Sequence, residues 1–181
     1  RYVLCWIQQA LRGTDNPLID VAIQRGNTLG LPVVVYHGLG NRYPYASHRL
    51  HRFILEASTS LGHAVEARGL RFLRHVARPG SLSKGLLYRL AADAACVLTD
   101  DMPVYVARSQ AERFAARVDV QVLAIDAATF VPMQRFPRRI VGTSAFRKAH
   151  TRLRDDALQE PVDLIATVPR YADELAAPHH A

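Results

Sequence analysis

The stretch Trp6-Ile7-Gln8-Gln9-Ala10-Leu11-Arg12-Gly13-Thr14-Asp15-Asn16-Pro17-Leu18 decides the fold, because within it a strand ends, a polar turn passes and a helix begins. Upstream, Tyr2 to Ile7 is a continuous apolar run rich in β-formers, the pattern of a strand covered on both faces. Downstream, Asn16 is placed to cap a helix through its side-chain oxygen, and Pro17 stands at the first helical position, where its missing N–H costs nothing. Such a junction aims unpaired N–H groups and a positive dipole end at whatever lies beyond the strand's carboxyl end. No G-x-G-x-x-G or P-loop fingerprint occurs in the loop, so a phosphate cradle is not indicated.

Outward from this junction the pattern repeats. Leu18 to Gly30 reads as a helix stopped by Gly30, and Leu31 to Tyr36 as a second buried strand. The segment His37 to Tyr45 reads as a crossing loop, and Ser47 to Arg68 as the strongest helix, with Leu50, Phe53, Ile54, Ala57, Leu61, Ala64 and Val65 at helical spacing. Leu70 to Val76 alternates apolar and basic residues like a strand near a sheet edge. Ser83 to Asp93 is a helix, Ala95 to Thr99 a buried strand, Val104 to Val118 a helix and Val120 to Ile125 a fifth strand closed by Asp126. Ser144 to Leu158 is a further helix with a thin apolar face, suited to packing on another domain or starting a linker. The proline-bearing tail from Pro161 reads as loosely held linker.

Five strands alternating with helices give an α/β domain, Rossmann-like and doubly wound on a mostly parallel five-stranded sheet with right-handed crossovers. In such a sheet the ligand lies beyond the strands' carboxyl ends, where strand order reverses. With the first strand central and the fourth beside it, the crevice lies between Gln8–Asp15 and Asp100–Pro103. Asp101 is equally readable as a helix N-cap, whereas Asp100 has no capping role to explain it.

The 181 residues suit one domain with a sizeable core, and 49% hydrophobic with 22% charged residues exclude disorder of the whole chain. A net charge of +7, from 23 Lys and Arg against 16 Asp and Glu, favours polyanions without identifying one. Cys5 and Cys96 lie in apolar strand-like runs and read as two buried thiols, with no disulfide and no metal set. Two reduced thiols fit a cytoplasmic protein, and no run approaches the roughly 18 apolar residues of a membrane span, nor does a signal-peptide pattern stand at the start. The start at Arg1, already inside a strand, looks like a segment cut from something longer.

The segment RYVLCWIQQALRGTDNPL, followed by GLPVVVYHGL, HRLHRFILEA and VLTDDMP, resembles the N-terminal α/β domain of the photolyase and cryptochrome family, most closely class II cyclobutane pyrimidine dimer photolyases. Trp6, Gln8, Arg12, Asp15, Asn16 and Leu18 carry the motif, and the likeness continues through LAIDAATFVPM and RRIVGTSAFRK until about Leu158. Cys5, Ile7 and Ala10 depart from the family's pattern.

The resemblance implies light-driven repair of pyrimidine dimers by a reduced FAD, with the flavin and the flipped-out lesion held in a C-terminal helical domain that this chain does not contain. It implies residues 1–134 as the α/β domain and 135–181 as helix and linker towards that domain. The partners implied are the FAD-binding domain and, through the full-length protein, UV-damaged DNA, on a monomer. No catalytic residue is expected here, and the fragment alone should be inactive. Trp6, Gln8, Gln9 and Arg12, with Asp100, Asp101 and Met102, become candidates for lining an antenna site for a deazaflavin or a folate: an aromatic and neutral amides suit a flat heterocycle, and a guanidinium suits an anionic ring or tail. The rival role for Arg12 is to pair with Asp15 and fix the turn. Two other functions compete: a free-standing nucleotide-binding Rossmann-like domain without repair activity, and non-catalytic nucleic-acid binding by the basic surface of Arg135 to Arg154, which would weaken steeply with salt.

Overall fold

In the computed structural model, residues 1–40, 43–78, 85–103, 105–136, 139–158 and 163–171 are described. The strands are β1 (Tyr2–Ile7), β2 (Val33–Leu39), β3 (Arg71–Val76), β4 (Ala94–Asp100) and β5 (Val122–Ile125), with α1 (Pro17–Leu29), α2 (His48–Ala67), α3 (Leu86–Asp93) and α4 (Tyr105–Ala115) between them. A short 3-10 turn at Met133–Arg135 and α5 (Thr143–Ala157) follow. The strands form one sheet in the order β3-β2-β1-β4-β5, every neighbouring pair parallel.

The all-apolar run of β1 makes it the central strand, with every residue buried. Alternate side chains feed two cores. Val3, Cys5 and Ile7 join Ile19 and Ile23 of α1 and Leu61 and Val65 of α2 on one face. Tyr2, Leu4 and Trp6 join Leu86 and Leu90 of α3 and Phe114 of α4 on the other. Cys5 and Cys96 are free buried thiols.

The helix ends follow from their residues. Asn16 is fully buried, and its Oδ1 accepts the Leu18 N–H at 3.1 Å while its Nδ2 donates to the carbonyls of Ala10 and Arg12. One side chain thus caps α1 and closes the preceding loop. Gly30 ends α1 in the left-handed conformation, φ 65°. Ser47 caps α2 by accepting the Leu50 N–H.

Several expected boundaries shift. β2 starts at Val33 and runs on through His37 and Gly38 to Leu39, because β3 pairs with it up to Leu39 and because His37 is buried against Ser58, Nδ1 to Oγ 2.9 Å. Burial, and then the nearby Arg74, lower the His37 pKa to about 4, so the ring is neutral. β5 begins at Val122 and α4 ends at Ala115, each shorter than the periodicity suggests. Ser83, at the expected start of α3, lies outside the described residues, and so do Val104 and Pro161. No residue of α5 is buried, in keeping with its thin apolar face; Phe146 stacks on Phe136 at 5.7 Å.

The described part of the tail corrects the expectation of a loose linker. Between residues 163 and 167 its backbone is taken up by side chains of the domain, and Leu164 and Ala166 pack on the α1–α2 core.

Candidate functional site

The chain leaves β1 for β2 on one side and reaches β4 on the other, so the order reverses between β1 and β4. Their carboxyl ends lie side by side, with Trp6 opposite Thr99 in the register. Asp100, the last residue of β4, is 3% exposed and closes this point. Its Oδ2 accepts the backbone N–H of Gln8 at 2.6 Å and of Gln9 at 3.3 Å, and its Oδ1 accepts that of Ala10 at 3.2 Å. Gln8 Nε2 adds a bond to Thr99 Oγ1 at 3.1 Å. The first βα loop is thereby clasped to β4 by a carboxylate standing where an anionic ligand would sit on free N–H groups. Burial raises the Asp100 pKa, and the three N–H donors pull it back. Burial, then the adjacent Asp100, also push the Cys5 thiol up, leaving it protonated and inert.

Beside the clasp, a cleft of about 420 Å³ is lined by Asp100, Asp101, Met102, Pro103, Arg108 and Met133, among others. Both methionines of the chain are on its wall. Asp101 accepts from Gln134 Nε2, and its backbone N–H bonds to Ile125 O at 2.8 Å, tying the loop to β5. Asp126, closing β5, accepts from the N–H groups of Ala128, Thr129 and Met133 and from the Thr129 hydroxyl. Burial would raise its pKa, but the bonds from Thr129, Met133 and Ala128 hold it below the ordinary value.

The expected site residues divide. Gln8 and Gln9 meet Asp100 directly, and Asp101 and Met102 line the adjoining cleft. Arg12 fixes the turn as its rival role proposed, but through carbonyls and not through the Asp15 carboxylate: Nε donates to Asp15 O at 3.1 Å and Nη2 to Ala127 O at 2.8 Å. Trp6 does not stand open in the crevice. It is 8% exposed and packs edge-on against Phe114, ring centroids 5.1 Å apart, as a support beneath the clasp. The basic surface of 135–154 is partly neutralised by the pairs Arg135–Asp156 and Arg154–Asp155.

Sequence reasoning missed Thr99, whose hydroxyl holds Gln8, and Arg68, 6% exposed, which bonds to Gly13 O at 2.7 Å and pairs with Asp20. Arg68 had no signal, since a lone arginine at a helix end reads as a solvated charge. Among the described residues no group of three His, Cys, Asp or Glu could hold a metal ion.

The donor set discriminates between ligands. A pyrophosphate, as in FAD, finds no free N–H cradle at the β1 end, because Gln8, Gln9 and Ala10 already donate to Asp100. The cleft wall mixes Met102, Pro103 and Met133 with the charged Asp100, Asp101, Arg108 and Glu112, and outside that wall the buried Gln8 Oε1 has no hydrogen-bond partner among the described residues.

A family model described as DNA photolyase matches residues 3–166. The deoxyribodipyrimidine photo-lyase of Methanothermobacter thermautotrophicus is 26% identical over 133 residues, which is 74% of this chain and 29% of that protein. The crystal structure of a bacterial class III photolyase from Agrobacterium tumefaciens superposes with a TM-score of 0.63 at 14% identity, covering 96% of this chain and 37% of that one. This likeness shows the shared fold. The universal stress protein of Archaeoglobus fulgidus in complex with dAMP reaches a TM-score of only 0.47 at 14% identity, over 70% of this chain and 98% of its own. The chain therefore spans about a third of the length of the photolyases it matches.

Proposed function

The chain belongs to the DNA photolyase family, and from that premise we propose that it is the N-terminal antenna and interdomain module of a deoxyribodipyrimidine photolyase. Residues 1–134 form the chromophore-binding α/β domain, and 135–181 lead towards a C-terminal FAD-binding domain that binds UV-damaged DNA; the protein acts as a cytoplasmic monomer. The class II placement rests on the motif from Trp6 to Leu18.

The observation that carries this reading is Asp100 in the three-N–H cradle of Gln8, Gln9 and Ala10. It leaves the switch point without a phosphate site, which disfavours the nucleotide-binding alternative, yet keeps it clasped and adjoined by a cleft whose wall combines Met102, Pro103 and Met133 with Asp101 and Arg108. A deazaflavin or folate antenna would be held by Gln8 and Gln9 on one side and by Asp100, Asp101 and Met102 on the other, with Arg12 setting the loop and Trp6 backing it. When bound, such a group supplies light absorption. This chain's residues bind and orient it. The dimer-splitting electron comes from a flavin in the other domain, so no catalytic residue is assigned here.

A thermal-shift panel tests the reading, since a ligand bound only by the folded state raises apparent stability. A deazaflavin or a folate should raise the midpoint, while ATP, AMP and FAD should leave it unchanged. Stabilisation by the nucleotides alone would favour the rival. The purified chain should also leave pyrimidine dimers unrepaired in light, and repair without an added partner would overturn the allocation of catalysis.

A further inference from the structure

The segment from Asp163 to Tyr171 lies along α1 as a strap whose first residue reaches the crevice loop from behind. Asp163 Oδ1 accepts the backbone N–H of Asp15 at 2.7 Å, and Asp15 is one of two non-glycine residues with positive φ among those described, at 52°. The same Oδ1 lies 3.6 Å from Nη1 of Arg68, and that nitrogen donates to Gly13 O at 2.7 Å. Arg68 Nε donates to Leu164 O at 2.7 Å, its Nη2 pairs with Asp20, and its own carbonyl accepts the Ala166 N–H at 3.1 Å. Asn27 grips the strap further along, Nδ2 to Ile165 O at 3.2 Å and Oδ1 from Thr167 N–H at 2.9 Å. At its last described residue, Tyr171 meets Tyr2 edge-on at 5.0 Å, at the amino end of β1.

We infer that the strap is a positioning element for the crevice: Asp163 and Arg68 set Gly13 to Asp15, and through that loop the Gln8–Ala10 cradle that receives Asp100. Arg12 and Asn16 hold the loop between the cradle and α1 from within, and Asp163 and Arg68 are the side chains that reach Asp15 N–H and Gly13 O from other parts of the chain. Gly13 lies so close to α2 that a Cβ on it would stand 2.3 Å from that of Ala64, so the loop is seated on α2 at the point where Arg68 also binds it. Crevice geometry then depends on chain that follows α5, which is more than a connector. This inference rests on the crevice being the functional site, but its test contains no chromophore and is decided separately from antenna binding.

The test is amide hydrogen exchange by NMR on the full 181-residue chain and on the variants Asp163→Ala and Asp163→Asn. Asp163→Ala removes the charged acceptor of the Asp15 N–H and should speed that amide about tenfold. The decisive readout is remote: Gln8, Gln9 and Ala10 should also exchange faster, relative to the core amide of Leu4. Asp163→Asn keeps an acceptor oxygen and should restore protection at Asp15 and at the cradle together. Acceleration confined to Asp15, or uniform acceleration that includes Leu4, would overturn the inference by leaving the strap a local or merely general stabiliser.

Discussion

Replacing Asp100 by Asn separates the clasp from every other feature of the crevice, because the substitution preserves shape and removes only charge and one acceptor. The wild-type carboxylate receives three backbone N–H groups at 2.6, 3.3 and 3.2 Å while 3% exposed. An amide has one acceptor oxygen, so whichever way it is turned, at least one of those N–H groups faces an NH2 and loses its partner. A hydrogen bond to a charged group contributes about 1.5–3 kcal/mol, and a buried donor left unpaired costs a similar amount. Relief from holding a charge in the interior offsets part of this, since burial raises the Asp100 pKa despite its donors. The net expectation is a loss of about 1–2 kcal/mol at neutral pH. The two effects also differ in pH dependence. With the folded pKa raised, the folded state holds the proton more tightly than the unfolded one, so this group's contribution is full below the ordinary carboxylate value and declines as pH rises through the folded value. Asp100→Asn removes that decline, so its deficit should narrow as pH rises through the same window. Urea denaturation of both proteins across that range, with exchange of the Gln8, Gln9 and Ala10 amides, measures both. A variant as stable as wild type at every pH, with unchanged cradle protection, would refute the clasp.

Three other substitutions or titrations probe the supports. Gly13→Ala places a Cβ 2.3 Å from that of Ala64 and should cost about 1–3 kcal/mol in thermal or urea unfolding; an unchanged midpoint would mean that the loop is not seated on α2. Trp6 is the sole tryptophan and is 8% exposed, so iodide should quench its emission weakly, and strong quenching would put it in the open crevice instead of the core. His37, whose pKa is lowered to about 4 by burial and then by Arg74, contributes stability above its ordinary value of 6.5 that is lost as pH falls through the folded value. Its full protonation should cost about 3 kcal/mol, visible as a pH-dependent unfolding step; an NMR titration near 6.5 would contradict the buried neutral ring.

Much of the fold was legible because local and global signals agree in this chain. The unbroken apolar run of β1 announced a central strand, Asn16 and Pro17 announced the start of α1, and alternation of strands with helices announced a parallel sheet whose switch point could be named. What escaped had no periodic signature. A strand covered on both faces carries no polar side, so nothing in its residues told which face Trp6 takes, and it went to Phe114. The end of β2 was set by pairing with β3, and so moved to Leu39. Asp100 could be singled out as an acid with no cap to make, but the three N–H groups it receives come from residues about ninety positions earlier. Arg68 and Leu164 are 96 residues apart, and the tail's prolines read as loose chain although its backbone is held by Asn27 and Arg68.

The crevice as a chromophore site, and not a phosphate site, is tested most directly by equilibrium titration of the purified chain with a deazaflavin while following Trp6 emission. Trp6 lies two residues before the cradle, next to Thr99, and should transfer its excitation to a bound chromophore with saturable quenching. The quenching should weaken in Asp100→Asn and persist in the presence of excess ATP. No saturable quenching by a deazaflavin or a folate, or quenching abolished by ATP, would contradict the account.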